Sequence, residues 1–412
     1  MGHHEDYAPV GGRLVTRPFL VLGALALVGF GLIGVRLFTG IGAVSNLNDG
    51  YPLGVWIAYN VAVGTALGCG GYAVAILVYI LNRWQYHTLM RSALLMSVFG
   101  YLLAGFAVLT DKGRYWNMYN LFLPSRMQPN SVLFEIALCV MTYNLVLVIE
   151  FLPTVLDKLA GSGRGRLAGL ARRVAPKLDR VLLGAVVVGL TLPTMHQSSL
   201  GSLFVIAQSK LHPNWHTPLL PLLFLINCVF MGCAVVVCES IAASFAFGRG
   251  YRVRELSPLL QVASWLALAW LAVRLFDLAH RGQLPRAFDG GLPAVALAVE
   301  LLCTLAGVAP VVFERMRRSP RWLFVTAAAL LLGGGLFRFN VFLIGMDPGD
   351  GWRYFPSLAE LLITFGIVSF QLLMYLVFVK RFPVLPSPHA RPVATYPAPA
   401  AAVERRVAWQ ER

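Results

Sequence analysis

Four glutamates of this chain, Glu135, Glu239, Glu300 and Glu360, fall inside long apolar stretches. An ionised carboxyl there is costly unless it is paired, hydrated or protonated. Two chemistries fit such residues. One is structural ion pairing: Arg274 and Asp277 stand three apart, on one helical face, and Arg338 in another stretch offers a partner to a glutamate. The other is proton stepping. Glu135, Glu300 and Glu239 fall near one end, the middle and the other end of their stretches, the series of depths that a relay across a membrane needs. Whether they are neighbours is not written in the sequence.

A second polar group closes another apolar stretch, in LPTMHQSSLGS. Pro193 is expected to disturb the last helical turns there, leaving carbonyls free, and to place His196, Gln197, Ser198 and Ser199 at a membrane interface. A neutral histidine so placed can exchange a hydrogen bond with a quinone carbonyl and titrates near neutral pH. It equally suits a purely structural partner. Tyr101, in the middle of its stretch, reads as a hydrogen-bonded core tyrosine or as part of a polar path. Gly64 and Gly68 form a G-x-x-x-G pattern suited to close helix packing.

The side chains argue against resident metal chemistry. All six cysteines lie in apolar stretches without a C-x-x-C pair, and Cys228, Cys233 and Cys238, five apart, share no helical face. They read as small buried hydrophobes, so neither an iron–sulfur cluster nor a zinc site is expected. Haem b needs two histidines on facing helices at matching depth. Of His3, His4, His87, His196, His212, His216, His280 and His389, only His196 and His280 fall near helix positions, so no haem is expected in this chain.

Elements that could hold these residues follow from hydropathy. The chain is 58% hydrophobic and 13% charged, with a mean hydropathy of +0.69, beyond a soluble domain. A crossing helix needs about 20 apolar residues. Windows of that kind run over 18–39, 55–81, 91–110, 131–152, 181–200, 219–245, 258–280, 291–313, 322–344 and 357–379. The expected fold is an all-α integral membrane protein of about ten helices: a segment 1–17, a transmembrane domain 18–380 and a Pro/Ala-rich disordered tail 381–412.

Charge sets the orientation. Most of the 34 Lys and Arg lie in the N-terminal segment and in the loops after the second, fourth, sixth, eighth and tenth spans. The segment 157–180 alone carries Lys158, Arg164, Arg166, Arg172, Arg173, Lys177 and Arg180. Both termini are therefore expected in the cytoplasm. The net charge of +15 is explained by topology and anionic-lipid contact, without nucleic acid. The opposite loops, 46–54, 111–131, 201–218, 281–291 and 345–357, combine Gly and Pro turns with Tyr, Trp and Asn. Besides forming an interfacial aromatic belt, such loops suit a subunit-docking surface or the rim of a pocket.

Long motifs give a more specific likeness. NLNDGYPLGVWIAYN (46–60), GCGGYAVAILVYILNRWQYHTLMRSALL (68–95), GRYWN (113–117), NSVLFE (130–135), LPTMHQSSLGSL (192–203), KLHPNW (210–215) and YFPSLAELLI (354–363) resemble the HybB-type membrane subunits of uptake nickel–iron hydrogenases. That group lies within the wider NrfD/polysulfide-reductase membrane-subunit family. The likeness covers roughly residues 45–385. It implies NrfD-like helical bundles in a bacterial inner membrane and a quinone-reactive subunit without haem. It further implies a periplasmic ferredoxin-like iron–sulfur partner, the hydrogenase large and small subunits beyond it, and menaquinone bound near the outer face. By the likeness, the quinone-site residues are His196, Tyr101, Asp111, Arg114, Tyr115 and Trp116, and the proton-transfer residues are Glu135 and Glu239, with Glu300 added from its depth. The chain is expected to be a non-autonomous subunit of a hydrogen:quinone oxidoreductase. Other partners of the same family (polysulfide, nitrite or quinol-oxidising complexes) remain open. So do a secondary transporter, which would place its broken helices at mid-membrane, and a passive anchor, for which ten helices with buried charges are excessive.

Overall fold

Only a helix lets a single apolar segment satisfy its own N–H and C=O groups in lipid, and ten segments among the described residues do so. The computed structural model describes residues 7–161, 165–349 and 351–387. Its membrane-length helices are α1 (Arg17–Thr39), α2 (Trp56–Ile80), α3 (Trp84–Asp111), α4 (Val132–Ala160), α5 (Arg166–Ile206), α6 (Leu220–Phe247), α7 (Val253–His280), α8 (Gly291–Val312), α9 (Pro320–Ile344) and α10 (Leu358–Arg381). The all-α multi-pass expectation holds. The largest departure is α5, which extends beyond both ends of its apolar window. Hydropathy stops where Arg180 and Lys177 begin, but helical hydrogen bonding does not. At the other end Pro193 lies inside the helix rather than ending it. A proline removes one N–H from the ladder without stopping the chain when surrounding helices fill the gap.

The helices pack as two sets of four. α2, α3, α4 and α5 form one bundle, and α6, α7, α8 and α9 the other, joined where α6 packs on α5 and α2 and where α9 meets α2. α1 pairs with α10 beside the first bundle. At that crossing an added Cβ on Gly29 would lie 2.6 Å from the Gly366 Cα, so the two backbones touch. Within the first bundle Gly68 makes the close contact expected of the G-x-x-x-G pair: its Cβ would lie 2.9 Å from the Tyr101 ring. Gly64 meets α3 through its backbone: an added Cβ on Gly100 would lie 3.7 Å from the Gly64 carbonyl oxygen. Three segments take the wider π-helical turn, Trp56–Val63, Ile76–Ile80 and Asn340–Ile344.

The loops expected on the outer side fold over one another. Asn46 N–H donates to Glu360 (3.0 Å), Asn48 Nδ2 to the Arg353 carbonyl (3.0 Å) and Tyr51 Oη to the Met346 carbonyl (3.1 Å). Tyr51 stacks on Tyr354 at 5.7 Å. At the other end, the start of the predicted tail is packed rather than loose. Val384 and Leu385 are buried, and Arg249 Nη1 donates to the Pro386 carbonyl at 2.6 Å. The rest of that tail, 388–412, lies outside the described residues.

Candidate functional site

The first bundle encloses a hydrogen-bonded cluster centred on Tyr101 of α3 and His196 of α5, both fully buried. Tyr101 Oη is 2.8 Å from His196 Nε2, and His196 Nδ1 is 2.8 Å from the Leu192 carbonyl. A carbonyl only accepts, so Nδ1 carries the hydrogen and the neutral ring accepts the tyrosine proton at Nε2. The freed lone pairs of Tyr101 Oη accept from Gln197 Nε2 at 3.1 Å and meet Cys69 Sγ of α2 at 3.3 Å. Gln197 also donates to Thr65 Oγ1 at 3.2 Å. Tyr143 of α4 closes the cluster, edge-on to Tyr101 at 4.6 Å. Because α5 continues past Pro193, His196 lies in the bundle core rather than at the interface that its sequence suggests.

One predicted carboxylate lies close along the same helix, without a bond to this cluster. Ser199, one turn beyond His196 on α5, donates to Glu135 of α4 at 2.7 Å. The other four predicted quinone residues stand apart. Asp111 is ten residues along α3 from Tyr101, about 15 Å at 1.5 Å per residue. There Arg36 of α1 donates to the Lys112 carbonyl and lies 5.3 Å over the Tyr115 ring. Tyr115 Oη donates to the Leu37 carbonyl (3.3 Å), while Arg114 and Trp116 are exposed. The predicted six thus divide into a buried pair and a rim at the Asp111 end of α3.

The proposed carboxylate series is not continuous. Glu300 of α8 is buried in the second bundle, where it accepts from Trp215 Nε1 and Asn340 Nδ2, each at 2.9 Å, and faces Arg274 Nε at 3.5 Å. With its oxygens so occupied, and with α8 packed on α7 and α9 rather than on α4, it shares no partner with Glu135. Glu239 of α6 accepts from Tyr375 of α10 and lines a cavity of about 140 Å³ with Ser92, Arg249 and Arg252. The ion-pair reading is half met. Arg274 lies 3.9 Å from Asp277. Arg338 instead takes amide and carbonyl acceptors: Asn227 Oδ1 (2.5 Å), Phe224 O (2.7 Å) and Ala62 O (3.0 Å). Glu360 serves loops 46–54 and 345–357, accepting from Tyr354 Oη at 2.5 Å and Ser357 N–H at 2.8 Å.

Sequence reasoning passed over Thr65, read Cys69 only as a small buried hydrophobe, and passed over Glu150 of α4, which fell at the edge of its hydropathy window. Outside the membrane spans, His212 lies in a cavity of about 930 Å³ with His216, Arg281, Gln283 and Asp347. Burial, and then the nearby Arg286 charge, hold its imidazole below the ordinary histidine range.

Comparison with known proteins places these features. The family described as "Polysulphide reductase, NrfD" matches residues 44–346. The chain is 38% identical to the "Probable Ni/Fe-hydrogenase 2 b-type cytochrome subunit" of Escherichia coli, over 93% of this chain and 96% of that protein. It is 31% identical to a protein of Nitratidesulfovibrio vulgaris, over 92% of this chain and 97% of that relative. To the "Menaquinone reductase, integral membrane subunit" of the same organism it is 25% identical, over 85% and 87%.

The first of these names raises the question of a haem. Among the described histidines only His196 is buried, and both its ring nitrogens are engaged by Tyr101 and Leu192. No second buried histidine faces it, so the donor set does not fit bis-histidine ligation. Among the described residues no group of three His, Cys, Asp or Glu could hold a metal ion. On the length and extent of these matches, this multi-pass membrane chain belongs to the polysulphide-reductase NrfD family.

Proposed function

We propose that this chain is the haem-free, quinone-reactive membrane subunit of a hydrogen-oxidising complex in a bacterial inner membrane. Both termini face the cytoplasm, as the distribution of Lys and Arg argues. A periplasmic ferredoxin-like iron–sulfur subunit docks on the outer loops and receives electrons from the nickel–iron hydrogenase subunits. The chain binds menaquinone near the outer face and supplies its protons. The observation that supports this reading is the Tyr101–His196 hydrogen bond, a protonatable pair buried in the first bundle, with Glu135 held by Ser199 one turn further along α5.

In this reading Tyr101 and His196 hold one shared hydrogen that can be handed to a developing quinol oxygen. Glu135 restores it along α5. Arg36, Asp111 and Tyr115 order the outer rim, and exposed Arg114 and Trp116 face the partner. Glu239 receives protons from the cytoplasmic cavity that it lines with Ser92. Two electrons from the partner and two protons from this chain complete one reduction, and drawing those protons from the cytoplasm conserves energy. A different partner, as the name of the menaquinone-reductase relative suggests, would leave the membrane chemistry unchanged. The 38% identity over nearly the whole chain favours the hydrogenase.

The test is the native complex. It should elute with hydrogenase subunits and extractable quinone and without a haem Soret band. Glu135→Gln or Glu239→Gln should impair hydrogen-driven quinone reduction while hydrogen oxidation with a soluble dye stays intact. A stoichiometric Soret band, or normal quinone reduction in both variants, refutes the proposal.

A further inference from the structure

Glu150 lies in the middle of the seam between α4 and α5, in a segment of α4 that crosses the apolar layer. It is partly buried and makes no hydrogen bond or ion pair among the described residues. Such a residue in hydrocarbon calls for an explanation. Its surroundings are shaped to admit it. Across the seam stands Gly189, where an added Cβ would lie 2.5 Å from Glu150 Oε1. Any larger residue would evict the carboxyl. Four residues further along α5 comes Pro193, which lacks the N–H that would occupy the Gly189 carbonyl. The same turn therefore offers a gap for the carboxyl and a backbone acceptor without its helical donor. An acceptor suits a carboxyl that carries its proton, because only the acid form can donate.

The position is also in line with the rest of the cluster. Tyr143, Glu150 and Asp157 follow one another at seven-residue intervals on α4, which keeps them on one side of the helix. Asp157 reaches the inner surface, where it pairs with Arg91 of α3 at 2.6 Å. Tyr143 touches Tyr101 and lies 6.0 Å from the His196 ring. Gly189, which marks the depth of Glu150, stands nine residues from Arg180, about 13 Å inside the basic end of the span. That is the middle depth that Glu300, held in the other bundle, does not supply to this path.

We infer that Glu150 is the mid-membrane proton carrier of the α4–α5 seam, receiving protons from the Asp157 end and passing them by way of water beside Tyr143 to the Tyr101–His196 pair. This rests on the proton-supplying role proposed above. Each step makes one O–H or N–H bond as another breaks: passing its proton on leaves Glu150 a carboxylate, and the next proton from the Asp157 end restores the acid. No electron moves through it.

The experiment compares Glu150→Gln, Glu150→Asp and Tyr101→Phe in the intact complex in native membranes. Rates are expressed per hydrogen-to-dye activity, which counts assembled complex. Glu150→Gln preserves shape and removes the acid, so quinone reduction should fall by about tenfold or more, while Glu150→Asp keeps most of the rate. The slower exchange in Glu150→Asp should show as a larger solvent isotope effect in D₂O. Wild-type rates in Glu150→Gln with a slow Tyr101→Phe overturn the role of Glu150 and leave the parent reading standing. Wild-type rates in both overturn the two together. Equal losses in Gln and Asp show that shape against Gly189 is what matters, and overturn the carrier role.

Discussion

Tyr101 Oη and His196 Nε2 stand 2.8 Å apart although 95 residues separate them in the chain. The contact exists because Gly68 leaves room beside the tyrosine ring and because α5 stays helical through Pro193. Tyr101→Phe removes the shared hydrogen and leaves Nε2 with only the Gln197 amide, at 3.2 Å, as a donor. We expect hydrogen-driven quinone reduction to fall by about 10²-fold, the usual scale of a general acid–base contribution. Hydrogen oxidation with a soluble dye should be unchanged, and parallel assays of the same membranes check both.

Glu360 should behave as a structural residue. Its carboxylate ties the Asn46 N–H, the Ser357 N–H and the Tyr354 hydroxyl into one cap. Glu360→Gln should lower stability by about 1–3 kcal/mol, the cost of leaving buried groups unpaired. It should also speed amide exchange in residues 46–54 and 345–357. Intact protection of those loops would contradict this.

The α1–α10 crossing depends on two glycines in backbone contact. Gly366→Val should cost about 1–3 kcal/mol through overpacking and separate α1 from its neighbour. Thermal unfolding in detergent and protease access near Gly40 are the measurements. Gly31→Val, on α1 with nothing within 4 Å of the added Cβ, is the control expected to change neither.

His212 supplies a pH dependence outside the membrane. Its pKa is lowered in the folded state by burial and by Arg286, so between the folded and unfolded values the unfolded chain binds the extra proton. Stability of the loops around His212 should therefore fall as pH drops through the ordinary histidine range near 6.5. His212→Gln should flatten that part of the profile, which thermal melts between pH 5 and 8 would show.

Several roles of individual residues were beyond reading from one chain. The sequence suggests Arg338 beside a glutamate, but the guanidinium lies among Asn227 and two backbone carbonyls, acceptors that carry no sequence signature. It suggests Glu300 as the middle of a relay, but Trp215 and Asn340 hold that carboxyl in the second bundle. The polar run from His196 to Ser199 was legible as a site, and its depth was not, because a proline's effect on a helix depends on what packs around it.

What the sequence determines by itself is local: ten apolar segments of crossing length, the side on which Lys and Arg collect, and which segments carry a carboxyl or an imidazole. These follow from transfer free energies that each segment pays whatever its neighbours are. Only the tertiary structure decides which of those groups meet. A helix turns 100° per residue, so the direction of Glu150 toward Gly189, of Tyr101 toward His196 and of Glu300 away from both is settled by how ten helices pack. That packing turns on small residues whose chief property is the space they leave.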